Sequence, residues 1–197
     1  MLSKIYHNFS KLVFRVQCFR QNVDLGTIKH LCGFIYIRNK GVAIFGNNIQ
    51  INAGSRCNRI SAETKCAFIV KEAALLTIGN NVGISNSTIV CAHKIEIQDN
   101  VLIGANCKVW DTQFHNLDYE IRVNGDDKPK KAEVVIEEGA FIGYGTVILP
   151  GVRIGKRAIV GAGSVVSKDV PSFEVWAGNP LKKIRWHEFY SIYFHVY

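Results

Sequence analysis

The sequence predicts an all-β solenoid: a parallel β-helix of six-residue repeats, with a helix ahead of it, one protruding loop and a short C-terminal extension. Three observations predict it. From Ile136 the chain reads IEEGAF, IGYGTV, ILPGVR, IGKRAI, VGAGSV and VSKDVP, so Ile136, Ile142, Ile148, Ile154, Val160 and Val166 each open a hexad. The fifth position is small or branched every time, at Ala140, Thr146, Val152, Ala158, Ser164 and Val170. Glycine recurs in the second position, at Gly143, Gly155 and Gly161.

A period of six is neither the 3.6 of a helix nor the two of a plain strand. It suits a triangular coil. Each short strand forms one side, its first residue points to the axis, and a second-position glycine supplies corner geometry that other residues resist. Three hexads close a turn of about 18 residues. Turns then stack at roughly 4.8 Å, the spacing of neighbouring strands.

Residues 1–40 read as a helical and capping segment. Within it Leu2, Ile5, Tyr6, Phe9, Leu12, Val13, Val16 and Phe19 recur at helical spacing, with Lys4, Lys11, Arg15 and Arg20 among or opposite them. Such a helix can shield the open edge of the first coil. It can also rest on an anionic membrane as a peripheral contact. The spacing allows both.

The β-helix itself is assigned to residues 41–171. Phe45-Gly46 and Ile51 mark a weak start, and residues 57–77 keep the pattern loosely. Ile78, Ile84 and Val90 form one block, with Val82 and Thr88 in the fifth slot; Ile97, Ile103 and Val109 form the next, with Val101 and Cys107. The seven-residue step from Val90 to Ile97 reads as a one-residue bulge. The rhythm then breaks in VWDTQFHNLD, residues 109–118, where His115 stands at the next aliphatic position. The insertion at 116–135 is polar and too long for a corner. Loops longer than about 12–15 residues in a compact domain are usually functional, and this one is expected to reach over a functional site. Residues 172–197 form the extension, whose aromatic tail WHEFYSIYFHVY is expected to pack on the prism or on a neighbour.

Composition restricts the function. A chain of 197 residues can hold one sizeable core. No run of about 18 apolar residues is present, so no spanning helix is expected, nor is a secretory signal. Six cysteines without a CxxC pair read as reduced thiols in a cytoplasmic protein. The net charge of +8 favours anionic partners, but no nucleic-acid motif accompanies it, so nucleic acid is not expected.

Five segments carry a family resemblance: SNSTIV at 85–90, IQDNVLIGANCKVWDTQFH at 97–115, IEEGAFIGYGTVILPGVRIG at 136–155, VGAGSVVSKDVP at 160–171 and AGNPLKKIR at 177–185. Together they resemble the hexapeptide-repeat O-acyltransferases of the galactoside, maltose and xenobiotic acetyltransferase type, including those that acetylate capsule and exopolysaccharide sugars. The resemblance implies a left-handed coil, a homotrimer with its sites in grooves between subunits, and acetyl-CoA as a direct co-substrate, with no acyl-enzyme and no metal. It places the catalytic histidine at His115. Asp111, in the pattern D-x-x-x-H, would orient the imidazole or help hold the acceptor; alternatively it only turns the chain. Asn86 matches an acceptor-binding asparagine, against the alternative of a plain corner residue. Phe141 (where the family usually has tryptophan), Gly143, Tyr144 and Ala162 would line the pantetheine arm of coenzyme A. Lys168, Lys182, Lys183 and Arg185 would meet its phosphates. The segment CAH, residues 91–93, departs from the acidic residues common in the sugar acetyltransferases, with His93 read as an exposed bulge residue.

The chemistry follows from residue type. Histidine titrates near neutrality, so His115 can take the proton of a hydroxyl attacking a thioester. The oxyanion then needs a fixed N–H donor, for which the Gly143-Tyr144-Gly145 backbone is a candidate. A cysteine nucleophile is disfavoured because Cys107 falls in an inward slot. A three-histidine zinc site is disfavoured because only His93 and His115 lie within the repeats. The sequence thus points to O-acetylation of a sugar or polysaccharide precursor, as in polysaccharide biosynthesis. The alternatives are acetylation of an antibiotic or amino sugar, and a non-catalytic scaffold.

Overall fold

The computed structural model describes residues 2–61, 66–124 and 128–186. After a helix, α1 (Leu2–Arg20), the chain winds as a three-sided, left-handed prism. Face A stacks Val23–Leu25, Val42–Phe45, Leu75–Ile78, Lys94–Ile97, Val134–Ile136 and Arg153–Ile154. Face B stacks Ile28–Cys32, Ile49–Asn52, Gly83–Ser85, Leu102–Ile103, Phe141–Ile142 and Ile159–Val160, then continues into Glu174–Ala177 and the antiparallel Lys182–Trp186. Face C stacks Tyr36–Asn39, Ala67–Val70, Thr88–Cys91, Lys108–Trp110, Val147–Ile148 and Val165–Val166. Every other pairing in the three sheets is parallel. The parallel ladder already begins at Val23, so the first coil lies within residues 1–40, where hexads are not readable.

The inward slots make the core. All six hexad-opening residues from Ile136 to Val166 are fully buried, and so are their small fifth-position partners. Each buried Val or Ile contributes roughly 1.5–3 kcal/mol over its exposed state. At the lower end aromatic rings fill the prism, with Phe45 5.1 Å from Phe68 and 6.4 Å from Phe14 of α1.

Three local expectations are corrected. The left-handed backbone lies at the fourth hexad position, not the second: Gly139, Gly145, Gly151 and Gly163 have φ of 71°, 68°, 84° and 68°, with Asn81 at 57° and Asn100 at 61°. Asparagine and glycine tolerate that region best. The second-position glycine serves close approach instead, since a Cβ on Gly143 would meet Ala162 N at 2.5 Å. The register of the third coil also shifts. Ile89 and Ser87, not Val90 and Thr88, take the inward slots, because Ile84 pairs with Ile103 and Ile89 with Val109. The corner at 85–87 is one residue short, and Asn86 turns it at φ 37°.

The third correction concerns cysteine. Cys32 and Cys57 form a disulfide with an S–S distance of 1.96 Å, so the six thiols are not all reduced. Spacing gave no sign of it, because the 25-residue separation is closed by the stacking of two coils. The other four cysteines are free and buried.

Helix α1 covers the edge of the first coil, but not with its apolar stripe. Ser10, Phe14 and Cys18 face inward, while Ile5, Phe9, Leu12, Val16 and Phe19 face outward. Gln21 fastens the end of α1 to the coil: its side-chain carbonyl accepts from Asn39 N (3.1 Å), and its backbone carbonyl from Asn39 Nδ2 (3.0 Å). The aromatic tail at 187–197 lies outside the described residues.

Candidate active site

The break after Trp110 is a loop with a closed neck. Thr112 and Lys131 form an antiparallel bridge, Gln113 N donates to Lys130 O (3.0 Å), and Ala132 N donates to Asp111 O (2.9 Å). The chain therefore leaves the prism at the corner between faces C and A and returns to the same point. Above the neck a short helix, α2 (Tyr119–Val123), is capped by Asp118, whose Oδ1 accepts from Ile121 N at 3.2 Å. This helix was not anticipated, although an Asp with a helical residue three positions on is a readable cap. It buries no residue, and Leu117, Tyr119, Ile121 and Val123 are all exposed.

His115 sits on the rising side of this loop with its side chain exposed. Its backbone N–H donates to Gln113 O (2.7 Å), closing a tight turn centred on the left-handed Phe114 (φ 61°). Phe114 leans back on the prism: its ring lies 6.1 Å from Trp110 and 5.5 Å from Lys71 Nζ. The residue before the histidine thus anchors the turn that presents it.

Asp111 is fully buried and occupies an inward slot at the same corner. Its Oδ1 accepts from Ala92 N (2.6 Å) and its Oδ2 from His93 N (2.7 Å). Its carboxylate therefore holds the corner of the coil below, the CAH segment that departs from the family. Cys91 lies under it, with Sγ 3.6 Å from Asp111 Oδ2. Burial first, and then the neighbouring Asp111 carboxylate, push the Cys91 thiol up to about 12. That thiol stays protonated and apolar in character. His93 is exposed on this same corner.

A second group of predicted residues gathers at the corner between faces B and C. Gly143, Tyr144 and Ala162 adjoin there in successive coils, and Phe141 stands half-exposed beside Leu102 on the outside of face B. Gly143 N and Gly145 N already donate to Val160 O and Ala105 O within the ladder, so neither serves as an oxyanion donor. Asn86 is on this corner too, fully buried. Its Oδ1 accepts from Gly54 N and its Nδ2 donates to Asn58 O (3.4 Å), so its amide organises the loop that follows the face B strand at 49–52. The width of face C separates this corner from His115, roughly 13 Å for four strand residues at about 3.3 Å each.

The predicted phosphate contacts divide. Lys182 and Arg185 are exposed on the last strand. Lys183 is engaged by Glu174 (2.7 Å), and Lys168 Nζ lies 5.0 Å from the Trp176 ring. Burial would raise the Glu174 carboxyl, but the bonds from Lys183 and from Trp176 Nε1 (2.6 Å) outweigh it and hold it below the usual range. A cavity of about 550 Å³ lies at the base of the same B–C corner, lined by Tyr6, Phe34, Tyr36 and Arg56 among others, and does not include His115.

Fold and repeat together define a class: a left-handed β-helix of hexapeptide repeats. Residues 133–168 match the family model described as bacterial transferase hexapeptide (six repeats). The galactoside O-acetyltransferase of Lactococcus lactis is 41% identical over 95 residues, covering 48% of this chain and 44% of that relative. The galactoside O-acetyltransferase of Escherichia coli is 37% identical over 123 residues, covering 59% of each. The chain thus spans about half the length of these relatives. Among solved structures, a galactoside acetyltransferase in complex with coenzyme A aligns with a TM-score of 0.61 at 27% identity, covering 90% of this chain and 72% of that one. An N-acyltransferase from Bacillus cereus, in complex with dTDP and coenzyme A, aligns at 0.68 and 21% identity over 92% of both; that likeness concerns the fold alone.

Proposed function

We propose that this chain transfers an acetyl group from acetyl-CoA to a hydroxyl of a sugar or polysaccharide precursor, with His115 as the general base. The observation that carries the reading is the exposed imidazole on a loop that leaves the prism where the coil is interrupted. A neutral imidazole takes the hydroxyl proton as the oxygen attacks the thioester carbonyl. The tetrahedral intermediate collapses, the carbon–sulfur bond breaks, and the imidazolium returns the proton to the departing thiolate. The products are the acetyl ester and free coenzyme A. Asp111 acts through the CAH corner it holds, not on the acceptor.

We further propose a homotrimer. His115 lies on one corner of the prism; Tyr144 and Ala162 lie on another, beside Asn86, which is buried with its amide engaged by its own chain and so does not bind the acceptor as the resemblance implied. One hydroxyl cannot meet both across a face of a single chain, but two chains packed side by side can bring them to one groove. The apolar outer surface of α2 supports this, because a helix that buries nothing in its own chain gains by lying on a neighbour.

Thiol release from acetyl-CoA, measured with neutral sugars, amino sugars and antibiotic alcohols, tests the reading. Turnover with a sugar hydroxyl is expected. Titration calorimetry showing no binding of coenzyme A would overturn it in favour of a non-catalytic scaffold.

A further inference from the structure

Helix α1 carries two faces of different kind. Ser10, Phe14 and Cys18 are buried against the coil. On the opposite side Ile5, Phe9, Leu12, Val16 and Phe19 stand between 48% and 85% exposed. At about 100° per residue the five fall within a stripe of roughly 80°, centred opposite the buried face. Their spacing of four, three, four and three places them in one unbroken row. A helix whose only task was to cap the coil would leave that row polar.

Charge selects the partner. Residues 2–20 include Lys4, Lys11, Arg15 and Arg20 and no Asp or Glu. Arg15 borders the stripe on one side and Arg20 on the other, both exposed. The same helix of a second copy would bring like charges together along the row, with no acidic residue to offset them. A lipid surface bearing anionic headgroups answers both features: its acyl boundary takes the apolar row, and its headgroups meet the flanking cations. No described helix is long and apolar enough to cross a membrane, so α1 would lie in the interface plane.

We propose that the outer face of α1 docks the protein on an anionic membrane surface. The helix then has two functions at once: one face closes the coil, and the other holds the coil at a lipid surface. Access to lipid-carried acceptors follows if the acetyltransferase reading above is correct, but the docking itself does not depend on that reading.

The test is co-sedimentation of the full chain with vesicles of phosphatidylcholine alone and of phosphatidylcholine mixed with phosphatidylglycerol. Binding to the mixed vesicles, weakened by salt, and little binding to phosphatidylcholine alone are expected. Leu12→Glu and Phe19→Glu should each weaken it about tenfold or more, since each removes an apolar side chain that the lipid would cover and adds a repelled charge. Both side chains are exposed, so circular dichroism and thermal melting should not change. Absence of wild-type binding to the mixed vesicles, or binding undiminished in both variants, would overturn the proposal. So would variants that leave vesicle binding intact while breaking up a larger assembly in lipid-free solution, because the stripe would then be a contact between copies. Thiol release with a soluble acceptor should be unaffected by either substitution, which separates failure of docking from failure of the enzymatic reading.

Discussion

Two residues at the interrupted corner do opposite kinds of work. His115 is exposed and contributes little to the core, so His115→Ala should leave the fold intact. As the base, its loss should lower kcat by about 100- to 10,000-fold, read as thiol release under saturating acetyl-CoA. A His115→Ala protein with undiminished kcat would exclude it as the base. Asp111 is the reverse case. Its carboxylate satisfies Ala92 N and His93 N in a fully buried position. Asp111→Ala strands two buried donors at about 1–3 kcal/mol each, so urea midpoints should fall markedly while KM for acetyl-CoA holds in the folded fraction. Asp111→Asn should rescue little, because an amide NH2 faces one of those donors. Burial also pushes Cys18, Cys66 and Cys91 from an ordinary 9.0 to about 12. Raised thiol values mean that the folded chain keeps protons the unfolded chain gives up. The part of stability that depends on these protonated thiols is therefore fully present below pH 9 and falls as pH rises from 9 toward 12. Melting temperatures should decline over that range, and Cys91→Ala should make the decline shallower.

At the scale of the coil, the fourth and second hexad positions make separable demands. Gly145 has φ 68° with open space where a Cβ would go, so Gly145→Ala bears only the backbone penalty of about 1–2 kcal/mol. Gly143→Ala carries no such backbone penalty, but it drives a methyl against the backbone of two residues in the next coil, Ala162 N at 2.5 Å and Val160 O at 2.8 Å, at a cost of about 3 kcal/mol or more, the upper end of overpacking. Denaturation of the two single variants should rank Gly143→Ala as the more damaging. Neighbouring corners are stitched by side chains as well, with Asn48 Nδ2 donating to Asn81 Oδ1 and Asn81 Nδ2 to Asn100 Oδ1, both at 3.2 Å. These features explain what was legible in sequence. A slot facing the axis has to be aliphatic, so Ile136 to Val166 announce themselves, and with them the fold. His115 was legible because a polar residue in such a slot contradicts the rule. The role of Asp111 was not, since a carboxylate that binds backbone N–H groups of another coil leaves no local pattern. The register of 85–91 was hidden because Ile89 and Val90 are equally aliphatic, and only the pairing with Val109 distinguishes them. The disulfide and the outward stripe of α1 were hidden for the same reason: both depend on which surfaces stacking brings together.

For the molecule as a whole, the decisive question is where the second wall of the site comes from. Within one chain the histidine corner and the glycine corner look out from opposite edges of face C. The loop that carries His115 stands clear of the prism, with Leu117 76% and Tyr119 64% exposed. Apolar side chains held this far from their own core by a capped helix are costly unless something covers them. A neighbouring prism with its axis parallel would cover them and would place its glycine corner beside His115, which is the geometry a threefold ring repeats three times and closes. The assembly should therefore sediment at three times the 22.0 kDa of the chain. Leu117→Asp combined with Tyr119→Asp should shift it to the monomer, because two buried contacts per loop become charges. These side chains lie outside the core, so the β-sheet signal in circular dichroism should persist. Activity should be lost along with assembly, although His115, Asn86 and Tyr144 are all untouched. A double variant that is monomeric yet fully active would show that each prism carries a complete site by itself and that the groove between subunits is not where acetyl transfer occurs.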